Sequence, residues 1–241
     1  MLKIENVVLP SPEQWQAIIM GTRNPLNSWA RSDSRFIPAM LEDEETYSQR
    51  HFEIGQNDLD LMRRLRRSGA DHRKFMRMIT VYLDITAPLY WWKEFSTYKV
   101  GTVANSCSTM HKIHAKEFTL DDFSHEHLLY PYGIGNCLSY TISILNHYRD
   151  IYLNGGVLPF EDKNGEIAEV EYEPKDKDIW WQMIQLLPSS YNQKRTVMLN
   201  YEVLCNVFAA RCNHRLDEWK QLCAWMRTLP YSELITGEKD E

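Results

Sequence analysis

The sequence predicts an α+β fold, and three features carry that prediction. Segments with strand character, at 2–9, 75–85 and 196–199, are interspersed with segments of helical periodicity. Capping residues, prolines and glycines mark the helix ends. No internal repeat, low-complexity tract or linker divides the 241 residues, so one domain over 1–241 is expected, long enough to bury a sizeable core.

Residues 2–9, LKIENVVL, partly alternate and open the chain as a strand. Ser11-Pro12-Glu13-Gln14 announces the first helix. The serine accepts from a free backbone N–H, the proline suits the first turn, and Gln14 completes a capping box. Trp15, Ile18, Ile19 and Arg23 share a face, and Asn24-Pro25 ends the helix. Residues 24–50 are polar and read as a long surface segment. A second helix starts at Asn57 or Asp58, runs through Leu61, Met62 and Leu65, and stops at Gly69. Its RRLRR run is either a solvated face or a partner site.

Residues 75–85, FMRMITVYLDI, alternate as a strand with Met76, Met78, Thr80 and Tyr82 on one face. Pro88 then begins a helix through LYWWKEFSTYK. Tyr90, Trp91 and Trp92 cannot share one side, so burial on several sides is expected. Leu138, Ile142, Leu145, Arg149 and Tyr152 mark a long helix ended by Asn154-Gly155-Gly156. Lys163-Asn164-Gly165 is a hairpin-like turn. Asp176 or Asp178 caps a helix through WWQMIQLL to Pro188, and Thr196–Leu199 is a last short strand. Helices over 200–212 and 215–228 close the chain, the second burying Leu216, Trp219, Cys223 and Met226.

Composition is that of a globular protein, with 44% hydrophobic and 25% charged residues. A net charge of −6 argues against a general nucleic-acid binder, which needs a basic surface to displace counterions, while leaving room for a local phosphate pocket. The five cysteines (Cys107, Cys137, Cys205, Cys212, Cys223) contain no C-x-x-C pair and read as free thiols of a reducing cytoplasm. No signal-peptide pattern opens the chain and no apolar stretch approaches the ~20 residues of a membrane span, so a soluble protein without a membrane partner is expected. His111-x-x-His114 and His125-x-His127, near Asp121 and Asp122, raise a metal reading. Without H-E-x-x-H or a paired second motif, locally hydrogen-bonded histidines are the preferred one and no metal is expected.

The segment Tyr98–His111, YKVGTVANSCSTMH, contains almost no bulky core material. Gly101 permits close backbone approach, and Thr102, Ser106, Ser108 and Thr109 offer hydroxyls suited to phosphate or sugar oxygens. It is neither a P-loop nor a Rossmann fingerprint. In the helix over 200–212, Asn200, Leu204, Val207 and Arg211 fall in one stripe. Either this is a core face with polar ends, or Asn200 and Arg211 sit at the rim of one pocket, where the arginine pairs with a carbonyl or phosphate.

These residues resemble the signature of the flavin-dependent thymidylate synthases, R-H-R and then N-E-x-S-x-R-Y after a strand and a proline-started helix. Thr97-Tyr98-Lys99 stands where R-H-R would be. Asn105-Ser106-Cys107-Ser108-Thr109-Met110-His111 stands for the second part, with one extra residue in the gap. Asn105 and Ser108 match outright, and Lys99 keeps a positive charge. Ser68-Gly69 and His72 resemble the family's G-H segment. Leu187-Pro188 followed by Asn200, Leu204, Asn206 and Arg211 is similar to L-P and N-x-x-x-L-x-N-x-x-x-x-R, and His214 with Trp219 to the H-A-Q-W-E stretch. The order holds over residues 50–230.

The resemblance implies a central, mainly antiparallel sheet flanked by helices and a homotetramer whose active sites are shared between subunits. It implies reductive methylation of the nucleotide dUMP, with methylenetetrahydrofolate supplying carbon and NADPH reducing FAD. Arg211 would be catalytic, polarising the uracil ring. Glu94, Lys99, Ser106, Ser108 and Arg211 would bind substrate, and His72, Thr97, Tyr98, Lys99, Asn105, Asn200 and Asn206 would bind the flavin. The family uses no protein nucleophile, which removes that role from Cys107. Thr97, Tyr98 and Met110 replace two arginines and a histidine, Ser106 replaces the glutamate, and Ile184 stands where a further substrate arginine is expected. The alternative is a non-catalytic or altered-substrate nucleotide- or flavin-binding protein on the same fold.

Overall fold

The computed structural model describes residues 1–37, 51–129, 137–161 and 163–238. Residues 38–50 of the expected polar segment lie outside these. The chain opens with β1 (Lys3–Val8) and α1 (Pro12–Arg23). The capping box forms as expected: Gln14 N donates to Ser11 Oγ at 3.3 Å and Ser11 N to Gln14 Oε1 at 2.8 Å. Two short strands, β2 (Arg35–Ile37) and β3 (His51–Glu53), pair antiparallel. α2 (Gln56–Arg67) starts at Gly55, which has no side chain to cap it. The Asp33 carboxylate substitutes, accepting from Asn57 N at 2.9 Å and Asp58 N at 3.2 Å. A Cβ on Gly55 would lie 2.2 Å from Asp33 Cγ, so glycine is what admits this distant cap.

The next strand, β4 (Thr80–Pro88), lies further along than the expected 75–85. Lys74–Arg77 form a 3-10 turn instead, with Phe75 and Met76 buried. The inward face of β4 is Val81, Leu83, Ile85 and Ala87, while Met78 and Tyr82 are exposed. Pro88 closes the strand directly before α3 (Leu89–Phe95), which ends three residues short of Tyr98. Trp91, Trp92 and Phe95 are all buried on this helix, with ring centroids 4.9–5.3 Å apart. β5 (Val103–Ser106), which the sequence did not suggest, precedes α4 (Thr109–Lys112).

α5 (Cys137–Asn154) ends at Gly155, whose φ of 77° is the left-handed conformation that stops a helix. β6 (Gly156–Glu161) and β7 (Ile167–Tyr172) form the expected hairpin. Asp176 caps α6 (Lys177–Leu186), accepting from Asp178 N at 2.7 Å. β8 is longer than expected, Asn192–Asn200, and leads into α7 (Tyr201–Arg211), α8 (Asp217–Met226) and α9 (Glu233–Thr236). The central sheet has strand order β1-β4-β8-β5; it is antiparallel with flanking helices, the α+β class that the sequence predicts.

Two compact units are defined by the contacts. The first comprises Met1, 86–95 and 106–195, and the second 2–85, 96–105 and 196–241. The first has a core of Ile113, Phe118, Phe123, Leu138, Leu145 and Met183. In the second, Ile19, Met62, Val81, Leu83, Tyr201, Leu204, Trp219 and Met226 are buried. Burial of each large aliphatic side chain contributes about 1.5–3 kcal/mol. The second unit also buries an ion pair. Asp58, 1% exposed, accepts from Arg23 Nε, from Ser32 Oγ at 2.7 Å and from Ser34 Oγ at 2.6 Å. Burial by itself raises its pKa, but the bonds from Ser34, Ser32 and Arg23, with the Arg23 charge, outweigh that and hold it below the ordinary value.

Candidate functional site

In the second unit the site is built on α7. Asn200 is the N-cap of that helix, its Oδ1 accepting from Val203 N at 3.1 Å. Its amide nitrogen faces the segment 98–102, where Gly101 has φ 77°. A Cβ on Gly101 would meet Asn200 Nδ2 at 3.0 Å and Val203 Cγ2 at 3.2 Å, so the close approach needs glycine on both counts. One residue on, Thr102 Oγ1 is buried without a hydrogen-bond partner among the described residues. A buried hydroxyl left unpaired costs free energy, and such a group is a place for a polar ligand.

Arg211 ends the helix, half-buried. Its Nε donates to Tyr98 Oη at 3.0 Å, and its guanidinium carbon lies 4.8 Å from the Trp219 ring centroid and 5.8 Å from that of Tyr98. The two rings meet edge-on at 6.0 Å. A hydrogen bond and two aromatic faces thus hold a planar cation in one orientation. Of the predicted residues, Tyr98 and Arg211 are brought together here, and Asn200 is brought to the same loop through Gly101. Thr97, Lys99 and Asn105 are exposed in or beside that loop.

Asn206 lies on the outer face of α7 in a polar cluster that the sequence reading missed. Its Oδ1 accepts from Arg73 Nη2 at 2.9 Å; Arg73 Nη1 reaches Cys205 Sγ at 3.4 Å, and Arg77 is paired with Glu202. The signal for this cluster was the i,i+4 spacing of Arg73 with Arg77 and of Glu202 with Asn206. His72 is exposed in the turn before it, its backbone N–H bonded to Gly69 O at 3.1 Å.

In the first unit, the second half of the signature is pinned from several directions. Cys107 N donates to Lys194 O, and Gln193 Nε2 donates to Cys107 O, both at 2.9 Å. Ser108 Oγ caps α4, accepting from His111 N at 3.0 Å, and Trp180 Nε1 donates to Met110 O at 2.9 Å. Ser106 is exposed at the end of β5, and Glu94 is half-buried on α3. Arg195, which the resemblance did not assign, donates from Nε to Gln193 Oε1 at 3.0 Å and stacks 4.3 Å over Trp92; burial lowers its pKa. Ile184 packs against the core of this unit, so a packing residue occupies the position of the expected substrate arginine.

Among the described residues no three His, Cys, Asp or Glu side chains gather closely enough to hold a metal ion. His125 Nδ1 lies 2.9 Å from Phe123 O, and His114 packs on Tyr152 at 4.8 Å. No helix of the described residues is long and apolar enough to cross a membrane.

No family model matches the chain, and neither does any curated protein sequence. Solved structures do. Thymidylate synthase X (ThyX) from Helicobacter pylori with FAD and dUMP aligns with a TM-score of 0.59 at 12% identity, over 98% of this chain and 97% of that one. A second H. pylori structure, flavin-dependent thymidylate synthase ThyX complexed with FAD and dUMP, gives 0.55 at 13% over 98% and 96%. The UMP/dUMP methylase PolB from Streptomyces cacaoi, bound with 5-Br dUMP, gives 0.55 at 13% over 98% and 94%. At this identity the likeness is one of fold, and the chain has the fold of the flavin-dependent thymidylate synthases over nearly its whole length.

Proposed function

We propose that this protein is a diverged flavin-dependent enzyme of the thymidylate synthase type that methylates a pyrimidine nucleotide, with dUMP as the first substrate to test. Methylenetetrahydrofolate is the carbon source and NADPH the reductant in this reading. The observation that carries it is Arg211, a cation fixed by Tyr98 and Trp219 beside a loop with an unused buried hydroxyl. The loop fits a flavin nucleotide: Gly101 lets backbone and Asn200 approach each other, Thr102 offers a hydroxyl, and Lys99 supplies an exposed cation. FAD, when bound, supplies the two-electron transfer.

His72, Thr97, Tyr98, Lys99, Asn105, Asn200 and Asn206 are the proposed flavin contacts. Arg211 polarises the base carbonyl, where a preoriented guanidinium stabilises developing charge without reorganising. Glu94, Ser106, Ser108 and Lys99 contact the nucleotide in a homotetramer with shared sites, in the cytoplasm. Lys194 and Arg195 are candidates to restore phosphate charge where the signature arginines are exchanged. A second reading, a nucleotide- or flavin-binding protein with altered substrate or no turnover, is favoured by Ile184 packed against the core and by exposed Met110 in place of a cation.

Purified protein titrated with FAD and then supplied with dUMP, methylenetetrahydrofolate and NADPH discriminates the two. The enzyme reading expects a flavin absorbance that copurifies or saturates, and dTMP detected by mass spectrometry. Flavin binding with no dTMP would favour the second reading, and a protein that takes up no FAD would defeat both flavin readings.

A further inference from the structure

The RRLRR run of α2 lies outside everything assigned above. Arg63 and Arg66 have structural partners: Arg63 binds Glu233 Oε1 at 2.8 Å, and Arg66 donates to the carbonyls of Leu234 at 3.0 Å and Ile235 at 3.2 Å, in α9. Arg64 and Arg67 are exposed, and their side chains have no hydrogen bond or ion pair among the described residues. They line an open groove of about 1180 Å³ whose other wall is the end of α1 and the segment 26–33. Arg31, on that wall, is exposed and equally without a side-chain partner among the described residues. Arg23 also lines the groove; it is 4% exposed, and its Nη2 is buried without a partner among the described residues.

Among the described residues, the carboxylates lining the groove do not balance these cations. Asp33 is committed to the backbone N–H groups of Asn57 and Asp58, and Asp60 to Gln56 Nε2 at 2.9 Å and Arg63. The chain as a whole carries −6, so three exposed guanidiniums around one concavity, unpaired among the described residues, are a local reversal of sign. A guanidinium binds phosphate with two parallel N–H donors, and Arg64 and Arg67, three apart on a helix, present theirs side by side. The groove is larger than one phosphate needs and exceeds the ~300–1000 Å³ of typical ligand sites, as an open groove does.

We propose that this groove is an oligophosphate site, taking a small ligand with two or three consecutive phosphates bridged between Arg31 on one wall and Arg64 and Arg67 on the other. It is independent of the flavin reading and shares none of its residues.

The test is calorimetric titration of the full chain at low salt with inorganic tripolyphosphate, ATP, AMP and an oligoglutamate peptide. Tripolyphosphate should bind saturably, weaken as salt is raised, and exceed AMP by about tenfold or more. Equal affinity for ATP assigns the site to phosphates alone; tighter ATP binding adds a nucleoside contact. The double variant R64E/R67E should lose about tenfold or more, with thermal midpoint and FAD uptake unchanged. The charge-matched variant K3E/K177E should bind as the parent does. Absence of saturable tripolyphosphate binding, equal loss in both double variants, or tighter binding of oligoglutamate would overturn the proposal.

Discussion

Arg211 is oriented by Tyr98 Oη and by the Trp219 ring, and those two contacts should have separable consequences. Under the proposed function, Arg211→Ala should lower kcat for dUMP methylation by about 10²–10³-fold, the effect expected of removing a preorganised charge from a reacting oxygen. Arg211→Lys should recover little, because an ammonium lacks the planar fork. Tyr98→Phe keeps the edge-on ring and loses only the acceptor, so a loss of about tenfold or less is expected in steady-state rates. The stripe Asn200–Leu204–Val207–Arg211 was legible in the sequence because helical periodicity relates residues within one element. Tyr98 as the partner of Arg211 was not, since 113 residues separate them and no periodicity spans that distance. The orphan hydroxyl of Thr102 was legible only as composition, a threonine in a polar stretch.

Among the elements, those with local punctuation were readable and those fixed by distant contacts were not. Ser11 through Gln14 specify the start of α1 within four residues, whereas α2 takes its cap from Asp33, more than twenty residues away. Asp33→Ala should therefore cost about 0.5–2 kcal/mol, read as a lower denaturant midpoint, despite Asp33 being exposed and outside the helix. The displacement of β4 has a similar origin. FMRM continues the alternation of the strand, but its backbone makes a 3-10 turn that buries Phe75 and Met76. Asp58 ties α2 to Arg23 of α1 and to Ser32 and Ser34. Its folded pKa lies below the unfolded value near 3.8, so its stabilisation is present above that range and lost as pH falls through the folded pKa. Acid titration should show the parent losing stability below pH ~4 and Asp58→Asn, already weakened at neutral pH, losing less over that window.

Across the whole molecule, the fold of the flavin-dependent thymidylate synthases persists at 12–13% identity over 98% of the chain. Such identity suffices because a fold needs apolar period, caps and turn glycines, which many residues satisfy. A signature motif needs particular charges, and here Thr97, Tyr98, Ser106, Met110 and Ile184 depart from it. The proposed chemistry would therefore rest on what remains, Arg211 with its aromatic clamp and the Gly101–Asn200 contact, with the cations of β8 in place of the exchanged arginines. The most direct test is the rate of NADPH oxidation by FAD-loaded protein with and without dUMP and methylenetetrahydrofolate. Oxidation should depend on the nucleotide, saturate with it, and collapse in Arg211→Ala. Oxidation indifferent to dUMP, or unchanged in that variant, would contradict the proposed function.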